Sequence, residues 1–279
     1  MPELPEVETV RRGLDAALEN AVIESVMLRR KDLRAPFPDG FARALAGRKI
    51  LRVKRRAKYL VFNLDSDDAI IAHLGMSGRF LIARHPVGCE AAARSEGKHD
   101  HVVFTFKDGR ALIFNDPRRF GLMTVAKKSA LAAHKLFAGT GPEPLRKGFS
   151  PEYLKAALAK RKGPVKTALM DQALVAGVGN IYASEALFLA GVDPRKPSHK
   201  AADHAAKIAG AVRQVLKEAI ASGGSSLRDF RHVSGEEGFF QHRFRVYGRE
   251  GKSCPVCHQR IFLIRQGGRS TFFCKTCQK

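Results

Sequence analysis

No apolar stretch in the 279 residues approaches the roughly 18–20 that a helix needs to cross a bilayer. That excludes an integral helical membrane protein. The opening Met1-Pro2-Glu3-Leu4-Pro5-Glu6 has acid and proline where a secretory signal needs base and an apolar run. The expectation is a cytoplasmic protein with no membrane partner. Cysteine is scarce: five residues are too few for a disulfide scaffold in a chain of this length. Cys89 stands alone in a Gly/Ala/Arg stretch and reads as an incidental thiol. Acid is also short, with 27 Asp and Glu against 49 Lys and Arg, a net charge of +22. Such a surplus calls for a polyanion, because neutralised phosphates release counterions, although ribosomal and membrane-surface proteins share the trait. At 44% hydrophobic and 27% charged residues the composition is that of a soluble globular protein, with length for about two domains.

Apolar residues recur at Val7, Val10, Leu14 and Leu18 with helical spacing, behind acids at Glu6 and Glu8. From Val22 to Val125 short Val/Ile/Leu/Phe runs alternate with turn residues: Ile50–Val53, Tyr59–Leu64, Ala69–Leu74, Val102–Phe106 and Ala111–Phe114. This predicts an antiparallel β-sandwich or barrel with one leading helix. Residues 138–151, rich in Gly and Pro, read as a linker. Beyond them helices are expected over Tyr153–Lys162 and Ala201–Ser222, the latter stopped by Gly223-Gly224. The expected division is a β-sandwich over 1–137, the linker, a helical domain over 152–238 and a basic tail over 239–279.

Cys254-x-x-Cys257 and Cys274-x-x-Cys277 are separated by 16 residues. Two such knuckles on a hairpin can close a tetrahedral four-thiolate site around one structural Zn²⁺, with no position left for water. Free buried thiols or a redox pair are the alternatives, and the spacing together with local basicity favours zinc. His258 could replace a ligand, but four thiolates already suffice. The runs Ile261–Ile264 and Thr271–Phe273 supply the hairpin strands, and a hairpin this small needs its metal to fold.

Removal of Met1 before the small Pro2 would expose a secondary amine, able to attack an aldehyde-level carbon and form a cationic iminium. Glu3 and Glu6 stand close enough in sequence to move protons. Read locally, however, Pro2 and Pro5 simply start a helix whose dipole the acids support. The run Arg48–Lys58 holds seven cations and no acid, which the charge of the whole chain turns from a solvated face into a phosphate track. Lys166 and Asn180 flank the segment Gly177-Val178-Gly179, which reads equally as a phosphate clamp at a helix N-terminus or as a plain helical hairpin.

Seven motifs run in order along the chain: Pro2-Glu3-Leu4-Pro5-Glu6-Val7-Glu8-Thr9, Arg55-Arg56-Ala57-Lys58-Tyr59-Leu60, His73-Leu74-Gly75-Met76-Ser77-Gly78, Lys98-His99-Asp100-His101-Val102, Asp116-Pro117-Arg118-Arg119-Phe120-Gly121, Gly177-Val178-Gly179-Asn180-Ile181-Tyr182, and the four-cysteine tail. Together they resemble the bacterial formamidopyrimidine-DNA glycosylase family. The sister endonuclease VIII family typically opens Pro-Glu-Gly-Pro, and Leu4 favours the first. The resemblance implies an α+β protein: an N-terminal β-sandwich with its helix, then a helical domain with a helix–two-turn–helix and the zinc finger. It implies a monomeric enzyme that flips an oxidised purine from damaged double-stranded DNA, excises it and cuts the strand.

Residue by residue, the resemblance makes Pro2 the nucleophile and Glu3 the acid that opens the sugar. Lys58 becomes a second acid/base, and Arg269 a holder of lesion phosphates that assists the second elimination. Glu6 shapes the base pocket. Met76, Arg118 and Phe120 fill the emptied stack, with Arg118 pairing the widowed cytosine. His99, Arg118, Arg161, Lys166, Asn180 and Tyr247 grip the backbone. Arg161 stands where many relatives carry Lys. Ser225-Ser226 and Arg228 differ from the common Thr-Thr-Leu-Lys of the lesion-capping loop, so base preference is the least direct transfer. An endonuclease VIII-like glycosylase for oxidised pyrimidines and a non-enzymatic zinc DNA-binding protein remain as alternative readings.

Overall fold

A leading helix, α1 (Leu4–Leu18), buries Leu4, Val7, Val10, Leu14 and Leu18 along one face. Glu3 is its N-cap, and Glu6 Oε2 accepts the Glu3 N–H at 2.9 Å, a side chain satisfying one of the donors orphaned at a helix start. The computed structural model describes residues 1–84, 97–226 and 238–279. It resolves into two units, Met1–Ala138 with Gly223–Gly238, and Gly139–Ser222 with Phe239–Lys279. Residues 223–226 and 238, grouped with the helical domain on sequence, thus belong with the first unit.

In the first unit α1 is followed by β1 (Ile23–Leu28), the short α2 (Phe41–Leu45), β2 (Ile50–Arg56), β3 (Tyr59–Leu64), β4 (Asp68–His73), β5 (Arg79–Arg84), β6 (Asp100–Phe106), β7 (Arg110–Asn115) and β8 (Leu122–Lys127). They form two antiparallel four-stranded sheets, ordered β1-β6-β7-β5 and β2-β3-β4-β8. Phe62, Ile70, Phe80, Phe104 and Phe114 share one buried core with the α1 face. Rings 5.0–5.7 Å apart link Phe62 through Phe80 to Phe114. Val61, Ile71 and Phe137 form a second cluster, and Val103, Ala111 and Ile113 a third. Apolar contacts on both faces explain why β4, β6 and β7 read as continuous apolar runs instead of alternating ones.

β2 extends three residues past the expected Val53, carrying the basic run with it. Arg52 pairs with Asp15 of α1 at 3.6 Å and with Glu19, the C-cap of that helix, at 3.2 Å, and Arg55 pairs with Glu8 of α1 at 3.1 Å. Asp15 Oδ1 also accepts the Val53 N–H at 2.8 Å. Two cations of the expected phosphate track therefore hold helix to sheet.

The second unit holds α3 (Pro151–Ala159), α4 (Val165–Met170), α5 (Asn180–Leu189), α6 (Ser198–Ala201), α7 (Ala205–Ala221), and the hairpin of β9 (Phe262–Gln266) and β10 (Arg269–Phe273). α3 starts two residues before the expected Tyr153, because Ser150 Oγ caps the Tyr153 N–H at 3.1 Å and Pro151 fits the first turn. The helix expected over 201–222 is interrupted by a 3-10 turn at Ala202–His204. α7 then buries Ile208, Val212, Val215 and Leu216 as its spacing predicts. Among the described residues no helix is long and apolar enough to cross a membrane.

Candidate functional site

At the start of α1, Glu3 and Glu6 are buried at 4% and 2% exposure while Pro2 is half-buried. Both Glu6 oxygens are engaged. Oε2 takes the Glu3 N–H, and Oε1 takes the Ser225 N–H at 2.8 Å and the Ser225 hydroxyl at 2.9 Å. Gly224, at φ +80°, lets this backbone come close: a Cβ there would stand 3.1 Å from Glu6 Oε1. Glu6 therefore orients the amino-terminal turn and the 224–225 segment against each other.

Lys58 lies in the two-residue turn between β2 and β3, buried at 6%, next to Ala57 with the left-handed φ of +52°. A non-glycine residue held there is a mark of a constrained site. Tyr59 faces His73 across the strands, their rings 4.8 Å apart. His73 is pushed down to about 3 by burial first, then by the charges of Arg34, Lys58 and the amino terminus. Its ring is neutral at physiological pH. Nδ1 accepts the Gly75 N–H at 2.9 Å, which leaves the proton on Nε2. Arg34, Lys58 and the amino terminus thus each act by charge on a neutral His73.

Met76 and the pair Arg118 and Phe120 sit on two adjacent loops. Met76 is half-buried and Arg118 is exposed, as is Phe120 at 43%. The Arg118 guanidinium lies over the Phe120 ring, 4.8 Å from its centroid. His99 is half-buried, and its carbonyl accepts the Asp116 N–H at 2.9 Å, tying it to the same loop.

In the second unit Lys166 departs from expectation. It is wholly buried, and its ammonium donates to Asn180 Oδ1 at 2.5 Å, the Ser270 carbonyl at 2.8 Å and Thr271 Oγ1 at 2.7 Å. It joins α4, α5 and β10 and does not face solvent. Asn180, the first residue of α5, turns its amide nitrogen to the Tyr247 hydroxyl at 3.5 Å. Tyr247 is flanked edge-on by Phe244 and Phe272 at 5.5 and 5.1 Å. Its segment hangs on Glu185, a fully buried carboxylate that accepts the N–H groups of Arg245, Val246 and Tyr247 at 2.9 Å each. Burial pushes the Glu185 carboxyl up, opposed by those donors and by Arg245. Arg161, half-exposed, is paired with Asp171 at 2.8 Å on the rim of a cavity of about 360 Å³ that Thr167 and Ser198 also line. Arg269 is exposed beside the Gly267-Gly268 turn of the hairpin, whose two positive φ values suit a tight two-residue connection.

The four sulfurs of Cys254, Cys257, Cys274 and Cys277 lie within 4.8 Å of one another, with Cys254–Cys277 at 3.8 Å and Cys257–Cys274 at 3.4 Å. A tetrahedral zinc with bonds of about 2.3 Å needs sulfur–sulfur edges of about 3.8 Å, so the donor set fits one structural Zn²⁺. Burial and the crowding of neighbouring thiols push Cys277 up, and the cation would remove that opposition to ionisation. His258 is exposed, at φ +64° in its knuckle, and is not among the ligands.

Sequence reasoning did not single out Arg34, His73, Ser77, Asp116 or Glu185. Asp116, His73 and Ser77 stand inside quoted motifs, but no spacing signals a buried hydrogen-bond hub. Of the stretch expected to cap the lesion, Arg228 to Phe239, residues 228–237 lie outside the described residues, as does Cys89.

Three family models match the chain. The formamidopyrimidine-DNA glycosylase N-terminal domain matches residues 1–123, the formamidopyrimidine-DNA glycosylase H2TH domain 140–231, and the zinc finger found in FPG and IleRS 251–279. The formamidopyrimidine-DNA glycosylases of Azorhizobium caulinodans and Ruegeria pomeroyi are each 50% identical, with both chains covered completely. Among solved structures, the MutM (Fpg) protein of Thermus thermophilus superposes with a TM-score of 0.86 at 38% identity, over 99% of this chain and 98% of that one. A variant Lactococcus lactis Fpg bound to Fapy-dG-containing DNA superposes with a TM-score of 0.89 at 34% identity, over all of both chains. The α+β architecture, the three matched domains and full-length identity near one half converge on one conclusion: the chain belongs to the formamidopyrimidine-DNA glycosylase family.

Proposed function

We propose that this protein is a bifunctional DNA glycosylase and AP lyase that removes oxidised purines from double-stranded DNA, working as a cytoplasmic monomer. The observation that carries the reading is the buried Glu3–Glu6 turn directly behind Pro2, with Glu6 fixed by the Glu3 N–H and by Ser225, while Lys58 and the amino terminus both act by charge on neutral His73. It comes with full-length similarity to enzymes of that name. The Lactococcus lactis Fpg has been solved with an oxidised-pyrimidine DNA as well as with Fapy-dG DNA, so lesion choice belongs in the test.

With Met1 removed, the Pro2 nitrogen attacks C1′ of the damaged nucleotide, and the base departs with the electrons of the glycosidic bond. Glu3 protonates the ring oxygen as the C1′–O4′ bond breaks, and the nitrogen lone pair closes a cationic iminium. That cation acidifies the C2′ proton. Its removal expels the 3′ phosphate, and a second elimination expels the 5′ phosphate. Lys58, buried in the β2–β3 turn, moves one of these protons. Arg269, exposed at the hairpin tip, holds a departing phosphate. Arg161, Asn180, Tyr247 and His99 hold the backbone, and Lys166 and Glu185 hold Asn180 and Tyr247. Met76 and Phe120 fill the vacated stack while Arg118 pairs the opposing cytosine.

The test is borohydride trapping on duplexes containing 8-oxoguanine, an oxidised pyrimidine or an abasic site. Borohydride reduces the iminium to a stable amine, and the linked peptide is expected to begin at Pro2. A crosslink mapping to Lys58 would transfer the nucleophile's role to that lysine. Excision of only the pyrimidine would reassign the lesion class.

A further inference from the structure

The loops that carry Met76 and Arg118 are joined to each other within the protein itself, and one hydroxyl makes the joint. β4 pairs with β8 up to His73↔Leu122, and β5 pairs with β7 up to Arg79↔Asn115. Both connections, 74–78 and 116–121, therefore leave one sheet and enter the other side by side. Their backbones touch: a Cβ on Gly75, at φ +63°, would lie 2.3 Å from the Phe120 carbonyl carbon.

Ser77, buried at 5%, donates its hydroxyl to Asp116 Oδ1 at 2.6 Å and accepts the Arg118 N–H at 3.1 Å. Asp116, at 0% exposure, accepts the Gly121 N–H on its other oxygen at 2.7 Å. Its carbonyl accepts the Arg119 N–H at 3.1 Å and receives His101 Nε2 at 2.9 Å. Arg119 is held at a left-handed φ of +57° between the two wedge residues. A carboxylate buried among neutral donors is costly unless every bond is made, so its arrangement is sharply specified. Surface turns of five or six residues do not otherwise need such a hub.

We propose that Ser77 is a positioning residue: through Asp116 it locks the two loops so that Met76, Arg118 and Phe120 enter the duplex as one preformed wedge. Ser77 thereby sets the selectivity for the base opposite the lesion. The proposal rests on the reading of Arg118 given above. Without the hydroxyl, Asp116 Oδ1 loses its donor and the Arg118 N–H its acceptor. The guanidinium then samples several directions instead of the one that meets cytosine, and the ordering of the wedge falls due on binding.

The experiment compares full-length, zinc-loaded wild type, Ser77→Ala, Ser77→Thr, Ser77→Cys and Arg118→Ala. Single-turnover excision of 8-oxoguanine is measured opposite cytosine and opposite adenine, alongside cleavage at a pre-formed abasic site. Ser77→Ala is expected to lower the cytosine-to-adenine ratio by roughly tenfold, the scale of one lost hydrogen bond to a charged group. Excision should fall more than abasic-site cleavage. Ser77→Thr, which keeps the hydroxyl, should restore the ratio. Combined with Arg118→Ala, Ser77→Ala should add little, as members of one unit do.

A wild-type ratio in Ser77→Ala with a flat ratio in Arg118→Ala overturns this proposal alone. A retained ratio in Arg118→Ala overturns the reading of Arg118 and the proposal with it. Equal loss of selectivity in Ser77→Ala and Ser77→Thr would mean that packing, not the hydroxyl, matters, and also overturns it. Should Ser77→Ala fail to fold, Ser77→Cys, with its weak donor, decides: a full ratio there refutes the positioning role.

Discussion

Replacing Lys166 with methionine separates an internal strut from a phosphate contact. Methionine matches the aliphatic stem and leaves little cavity, so the change isolates the ammonium. Three acceptors lose their donor: Asn180 Oδ1, the Ser270 carbonyl and Thr271 Oγ1. At roughly 1.5–3 kcal/mol for each bond to a charged group, the gross loss is about 4.5–9 kcal/mol. The variant also regains the several kcal/mol that desolvating a buried ammonium costs, leaving a net destabilisation of about 3 kcal/mol, or roughly two decades in the folding equilibrium. The loss falls on the second unit, where α4, α5 and β10 meet. Denaturant titration followed by circular dichroism and by zinc release to a chromogenic chelator should show that unit melting earlier. Because Lys166 is wholly buried, it releases no counterion from DNA. Binding should weaken while the slope of log K against log[salt] stays at the wild-type value. A wild-type denaturation midpoint together with a slope shallower by about 0.9 would refute the strut and make Lys166 a phosphate ligand after all.

Exposed Arg269 should behave in the opposite sense: Arg269→Ala is expected to leave stability unchanged, shallow the salt slope by about 0.9 and slow the second elimination, which gel analysis of the product ends resolves. Cys254→Ser or Cys274→Ser should abolish zinc binding and weaken DNA binding severely while the β-sandwich keeps its circular dichroism; stoichiometric zinc in both purified variants would contradict this. His73 lies at about 3 when folded against 6.5 when free, so the unfolded chain binds its proton first. Its contribution is present above pH 6.5 and is lost as pH falls toward 3, at up to about 1.4 kcal/mol per pH unit. His73→Asn should flatten the acid side of the stability profile of the first unit, and an unchanged profile would remove His73 as its cause.

The sequence by itself determined what repeats or clusters locally. The apolar spacing of Val7 to Leu18 is enough to draw α1, because a helix face is a local property of every third or fourth residue. The short apolar runs placed β3, β4, β6 and β7 within one or two residues of where they lie. The two Cys-x-x-Cys pairs named their own ligand set, since each knuckle is closed by residues three apart. The ordered motifs of the N-terminus and loops were sufficient to assign the family. Only tertiary structure decided what each charge meets. Arg52 and Arg55 read as surface cations until α1 brought Glu8, Asp15 and Glu19 against β2. Lys166 read as a phosphate grip until β10, more than a hundred residues later, supplied two of its acceptors. Asp116 and Ser77, 39 residues apart, met only because the pairing of β4 with β8 and of β5 with β7 sets their loops side by side. Burial and partnership at long range are set by packing, and no pattern along the chain encodes them at the residue where they act.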